Sequence, residues 1–136
     1  MTFTPPLISA ATAGFLIIMQ TVLMMTVVTA RRRNRQSLGD GGHHDLLVAV
    51  RRHGNFAENA ALFLAGFTLL ELAGGGRIAL AVLCVAFVLG RISHAIGLSM
   101  PQTVNRFRVA GVLLTAVVGT ALGVRLLLLG LSQLSL

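Results

Sequence analysis

Four long apolar runs alternate with short polar segments along this chain. Residues 7–30 contain no charged side chain, and residues 107–131 contain only two, Arg108 at their start and Arg125 near their end. At about 1.5 Å per residue, each run is long enough to cross a hydrocarbon core of roughly 30 Å. The pattern predicts four transmembrane helices, at residues 7–30, 46–73, 78–100 and 107–131.

The connections between these runs are short and polar. A glycine-containing loop at 31–45, a tight turn at 74–77 and a link at 101–106 that opens with proline separate the four helices. We therefore expect residues 1–136 to form one membrane domain. The predicted fold class is all-α, an integral membrane four-helix bundle.

Composition and charge agree with a membrane protein and suggest its orientation. The chain is 55% hydrophobic and only 11% charged, with a mean hydropathy of +0.85 and a net charge of +7. Arginines are concentrated in the first and third connections, which predicts that loops 31–45 and 101–106 are cytoplasmic and that the membrane is the inner one if the source is bacterial. This topology accounts for the positive charge, so we expect no nucleic-acid partner.

The second predicted helix is unusually polar in its first half. Around a helix, Asn55 lies about 40° and Glu58 about 20° from Arg51, so the three share one face. Ionisable side chains at this depth are costly unless they face a bundle interior or a water-filled cavity. These residues therefore indicate a candidate site.

Two further helices direct polar residues to the same end of the bundle. Arg91 and His94 approach that end as the third helix leaves the membrane, and Arg108 begins the fourth. A structural ion-pair network is one interpretation, because Glu58 can neutralise an arginine. The cations outnumber the single carboxylate, however, and surplus arginine favours an anionic ligand.

These motifs resemble those of the MAPEG family, the membrane-associated proteins in eicosanoid and glutathione metabolism. The similar segments are Arg51-x3-Asn55-x2-Glu58, Gly90-Arg91-x2-His94 and Arg108-x2-Gly111, within a chain of matching length and helix number. The resemblance implies a homotrimer of four-helix subunits that binds glutathione between neighbouring subunits, near the cytoplasmic face.

The resemblance also implies roles for individual residues. Arg108 would stabilise the glutathione thiolate, with Arg106 as the substitute if the alignment is displaced by two positions. The residues expected to bind glutathione are Arg31, Arg51, Asn55, Glu58, Arg91 and His94. A cation near sulfur raises the fraction of thiolate, which is the nucleophile.

We therefore expect a membrane-bound glutathione-dependent transferase or peroxidase acting on lipophilic electrophiles, with glutathione as cosubstrate and the lipid bilayer as its environment. The chain contains no tyrosine, whereas the eicosanoid enzymes of the family place tyrosines where Asn59, His94 or Leu98 stand here. This difference argues against specialised eicosanoid synthesis. The alternative is a non-catalytic membrane oligomer that binds an anionic ligand, a lipid headgroup or a partner.

Two remaining features do not change this interpretation. His43, His44 and Asp45 are adjacent, but without further ligands they are a weak metal motif, and we expect no metal. Cys84 is the only cysteine and lies in the middle of a span, so packing is its expected role.

Overall fold

The computed structural model describes residues 4–102 and 104–134. Within them the chain forms four helices: α1 (Leu7–Asn34), α2 (His44–Leu72), α3 (Arg77–Leu98) and α4 (Arg106–Leu134). The described residues include no β-strand. The predicted all-α, four-helix architecture is confirmed.

The helix ends differ from the hydropathy boundaries by a few residues. The largest difference is in α1, which continues beyond Ala30 through three arginines to Asn34. Arginine is a good helix former, and cations are favourable near the negative end of the helix dipole, so the change from apolar to basic residues does not end the helix. The helix ends at Arg35, which has a left-handed φ of 50° and whose N–H bonds back to the carbonyls of Arg31 and Arg32.

Three of the helices, α1, α3 and α4, are long and apolar enough to cross a membrane. With 29 residues α2 is long enough, but its charged first half keeps it outside that set. Its crossing therefore remains a prediction. Many large apolar side chains of α1 and α4 are exposed on the outside of the bundle, including Ile17, Ile18, Leu127 and Leu128. Such a surface is suited to lipid or to neighbouring subunits.

Aromatic packing holds the middle of the bundle together. The rings of Phe63 and Phe87 stack with their centroids 4.3 Å apart, and Phe67 meets both edge-on. Phe67 and Phe87 are fully buried, with Leu16 of α1 and Val118 of α4 in the same core. All four helices are thereby fixed relative to one another, and the residues of the predicted site lie towards one end of this core.

Helices α3 and α4 approach each other most closely at glycines. A Cβ added to Gly97 would lie 2.8 Å from the Cα of Arg108, and one added to Gly111 would lie 2.7 Å from the backbone nitrogen of His94. These distances are too short for a side chain. The two glycines therefore let the backbones that carry His94 and Arg108 come together.

Candidate functional site

A polar cleft of about 350 Å³ lies between α2, α3 and α4 at the end of the bundle where α2 begins. We call this end the arginine-rich end and the cavity the α2–α3–α4 cleft. Its lining residues are Val50, Arg51, Gly54, Asn55, Glu58, His94, Leu98 and Arg108. Five of the seven residues expected to form the site therefore lie around one cavity.

Helix α2 supplies most of the polar surface of this cleft. Arg51 and Glu58 are exposed, whereas Asn55, between them on the same face, is half-buried. Neither Arg51 nor Glu58 forms an ion pair within residues 4–102 and 104–134, where the ion pair seen is that of Arg33 with Asp45. The intramolecular network considered from the sequence, in which Glu58 neutralises an arginine, is therefore not formed among these residues.

Arg91 lies beneath the cleft instead of lining it. Its side chain is 3% exposed, and its Nη1 donates to Asn55 Oδ1 at 2.9 Å. Its Nη2 donates to the hydroxyl of Thr115 and, at 3.4 Å, to the carbonyl of Gly111. Because Arg91 only donates, Asn55 must accept with its oxygen, which leaves the Asn55 amide nitrogen as the group available to a ligand.

The buried charge of Arg91 is balanced by no carboxylate among the described residues. Its partners are neutral oxygens and the ring of Phe87, whose centroid lies 5.8 Å from the guanidinium carbon. Its Nε is buried and has no hydrogen-bond partner in the described part of the chain. A cation at this depth adds a positive potential to the cleft above it, and this favours an anion there.

Arg108 is positioned by the start of α4. Asn105 precedes the helix, and its Oδ1 accepts a hydrogen bond from the backbone N–H of Arg108 at 3.0 Å, the usual arrangement of an asparagine N-cap. The Nδ2 of Asn105 also donates to the carbonyl of Gly97 at 2.8 Å. One side chain thus connects the end of α3 to the start of α4 beside the cleft.

Of the two arginines considered for thiolate stabilisation, only Arg108 is in the cleft lining. The guanidinium of Arg106 lies 5.1 Å from the ring centroid of Phe107, and Arg106 is exposed. The structure therefore favours Arg108 for a ligand in this cleft.

Arg31 is not part of the cleft in this chain. Its Nη1 donates to the carbonyls of Gln36, Ser37 and Gly39 at 3.0 to 3.3 Å, and so holds the loop that follows α1. A contribution of Arg31 to ligand binding remains a prediction from the resemblance.

The end of α1 and the start of α2, on either side of this loop, are joined by an ion pair. The Arg33 guanidinium pairs with Asp45, whose carboxylate also accepts from the Asn34 amide at 3.0 and 3.1 Å. The hydrogen bond from Arg33, followed by that from Asn34, lowers the pKa of Asp45 to about 2. Asp45 is therefore part of a helix–helix contact, and no group of three or more His, Cys, Asp or Glu within residues 4–102 and 104–134 is arranged to hold a metal ion.

Sequence analysis missed Thr115 and the close-packing role of Gly97. Thr115 lies in an apolar helix, four residues after Gly111, where a threonine usually bonds to its own helix, as this one does at 2.8 Å. No sequence signal distinguishes it as a partner of Arg91. Glycines are also common near the ends of membrane helices, so the sequence does not indicate that Gly97 makes a close contact with α4.

The fold and the cleft together define a class of protein: an all-helical membrane bundle with a cationic cleft open at one end. The model of the MAPEG family matches residues 9–128 of this chain, and the chain belongs to that family. No curated protein and no solved structure matches it. Members of this membrane-associated family act in glutathione-related or eicosanoid metabolism, generally use glutathione and are typically trimers.

Proposed function

We propose that this protein is a membrane-bound glutathione transferase or peroxidase that binds glutathione in the α2–α3–α4 cleft and acts on lipophilic electrophiles. The observation that carries the proposal is the charge pattern of the cleft, with Arg51 and Arg108 opposed by one carboxylate, that of Glu58. Glutathione has two carboxylates and one ammonium group, which is the complementary set.

The hydrogen-bonding groups of the cleft are suited to a peptide ligand such as glutathione. Arg51 offers a planar pair of N–H groups to a carboxylate, Glu58 accepts from an ammonium, and the Asn55 amide nitrogen donates to a carbonyl. A volume of about 350 Å³ is in the range of small-molecule sites. The positive potential from buried Arg91 further favours a ligand with net negative charge.

Arg108 is the residue expected to support the chemistry. A guanidinium beside the ligand sulfur stabilises the thiolate over the thiol, and the thiol proton leaves to water at the open side of the cleft. In the transferase reaction the sulfur electron pair forms a C–S bond while the leaving group departs with its own bonding pair. In the peroxidase reaction two glutathione molecules are oxidised to the disulfide as one hydroperoxide is reduced to an alcohol and water.

Calorimetry with the detergent-solubilised protein tests the binding step. We expect saturable glutathione binding to the wild type, and a loss of at least about tenfold in affinity for Arg51→Ala and for Glu58→Ala, because each removes a charged contact of about 1.5–3 kcal/mol. Arg32→Ala is the matched control, since Arg32 is exposed at the same end but outside the cleft. Folded wild-type protein that does not bind glutathione would refute the proposal and favour the non-catalytic oligomer.

The chemical step is tested by a second pair of variants. Arg108→Ala should reduce the ultraviolet absorbance of bound thiolate and lower turnover with a lipophilic electrophile by about tenfold or more, while glutathione still binds. Arg106→Ala should leave both unchanged. Equal losses in the two variants would mean that general positive charge, and not a cation at the sulfur, supports the reaction.

A further inference from the structure

A second and larger cavity, of about 750 Å³, lies between α1 and α2 and has no lining residue in common with the α2–α3–α4 cleft. We call it the α1–α2 groove. Its lining includes the charged residues Arg33, Asp45 and Arg52, together with His44, and Val22 and Met25 are among its apolar residues. The glutathione proposal does not use this cavity.

The groove changes from charged to apolar along its length. On α1 its lining runs from Arg33, near the helix end, back to Thr21, a distance of about 18 Å at 1.5 Å per residue. Half of the hydrocarbon core is about 15 Å thick, so the groove extends from the interfacial region towards the bilayer centre. A ligand that matches it has a charged end and a long apolar end.

Among the residues that the structure describes, Arg52 is the arginine of this groove that has no anionic partner. The charge of Arg33 is balanced by Asp45, whereas the Nη1 of Arg52 donates only to the neutral hydroxyl of Ser99 at 2.9 Å. The Nε of Arg52 is buried and has no hydrogen-bond partner in the part of the chain that the structure describes. A buried donor in this state is unfavourable. Arg52 also lines the groove, so an anion in the groove meets its charge.

We propose that the α1–α2 groove binds one anionic glycerophospholipid per subunit, with its phosphate on Arg52 and an acyl chain along Val22 and Met25. The charge complementarity lies at the interfacial end, where basic pockets between membrane helices bind lipid headgroups. The apolar half of the groove selects a lipid over a free phosphate, because it gives an acyl chain a surface that a small anion leaves empty.

Native mass spectrometry of the detergent-solubilised protein tests this proposal. With added phosphatidylglycerol we expect one saturable adduct per subunit, and at least about tenfold weaker binding of phosphatidylcholine with the same acyl chains. Arg52→Gln should weaken the phosphatidylglycerol adduct by a similar factor. Arg32→Gln, at the same end but outside the groove, should not.

A second substitution tests the apolar half and does not depend on the fate of Arg52. Met25→Trp should fill the groove and exclude the acyl chain while the arginine stays in place. Met24→Trp is its matched control, because Met24 is exposed on α1 and does not line the groove. We expect the adduct to be lost in the first variant and retained in the second.

Four results would overturn the proposal. Equal binding of the two phospholipids, or an adduct unaffected by both groove variants, would mean that the groove does not select an anionic lipid. Full competition by free glycerol phosphate would mean that the phosphate alone is recognised. A change in the number of subunits per complex in Met25→Trp would mean that the groove is covered by a second copy of the chain.

Discussion

Charged side chains lie at both ends of the bundle, but they have different partners. At the end where α1 begins, both carboxylate oxygens of Glu71 accept backbone N–H groups, from Ile8 at 3.0 Å and Ser9 at 2.8 Å, and Arg125 donates to the carbonyl of Gly75 at 3.0 Å. At the arginine-rich end, Arg51 and Glu58 face a cleft and form no ion pair among the described residues.

This difference separates two uses of charge in a membrane bundle. Glu71 accepts two backbone N–H groups that the start of α1 leaves without an intrahelical partner, and Arg125 connects α4 to the turn after α2, so both have a structural role. The partners of both side chains are backbone groups of the same chain. At the arginine-rich end, Arg51 and Glu58 have no ion-pair partner among the described residues, and this is why we propose that they bind a ligand.

The two ends also differ in how closely α4 packs, and one pair of substitutions tests this. Gly111→Ala should lower the free energy of unfolding by up to about 3 kcal/mol, because its Cβ would meet the backbone of His94. A Cβ added at Gly123 would have no atom within 4 Å. Gly123→Ala should therefore raise the free energy of unfolding by about 0.5–1 kcal/mol, because alanine has the higher helix propensity. Unfolding of both variants in mixed detergent measures the difference; losses of equal size would mean that α4 packs equally tightly along its length.

Removing the carboxylate at the opposite end should affect stability and not binding. Glu71→Gln should lower the free energy of unfolding by about 2 kcal/mol, because it weakens charge-assisted bonds at the positive end of α1. Arg125→Gln, which loses one exposed contact, should cost about 0.5 kcal/mol. Glutathione affinity should stay unchanged in both, and a fall comparable to that of Glu58→Ala would contradict the separation of structural from ligand-binding charges.

The smallest effect is expected from Asp45, whose half-buried carboxylate is paired with Arg33 and Asn34. Its pKa of about 2 is below the ordinary value of 3.8, so its contribution to stability is present above about pH 4 and is lost as the pH falls through 2. The difference in unfolding midpoint between wild type and Asp45→Asn should therefore be constant from pH 7 to pH 4 and shrink below it. A difference that already shrinks between pH 6 and pH 5 would mean that the contact with Arg33 does not hold the carboxylate.

Hydropathy was sufficient to predict the number and order of the helices, because an apolar run of this length has few alternatives to a spanning helix. It failed at the end of α1, where arginines continue the helix beyond the apolar run. Helical periodicity placed Arg51, Asn55 and Glu58 on one face correctly, since all three belong to one element. Helical periodicity could not predict that Arg91 is buried against Thr115, because that contact depends on how α3 and α4 pack.

The asparagine that connects α3 to α4 has a consequence for ligand binding. Asn105 holds the carbonyl of Gly97 and the N–H of Arg108 at once, so the backbone of Arg108 is already ordered before any ligand arrives. Affinity is weakened when a segment has to become ordered during association, because the segment loses conformational entropy. Here that entropy is already lost when the protein folds. The cleft is thus preorganised on its α4 side, and a change in Asn105 should act on the rate and affinity of association without touching the ligand.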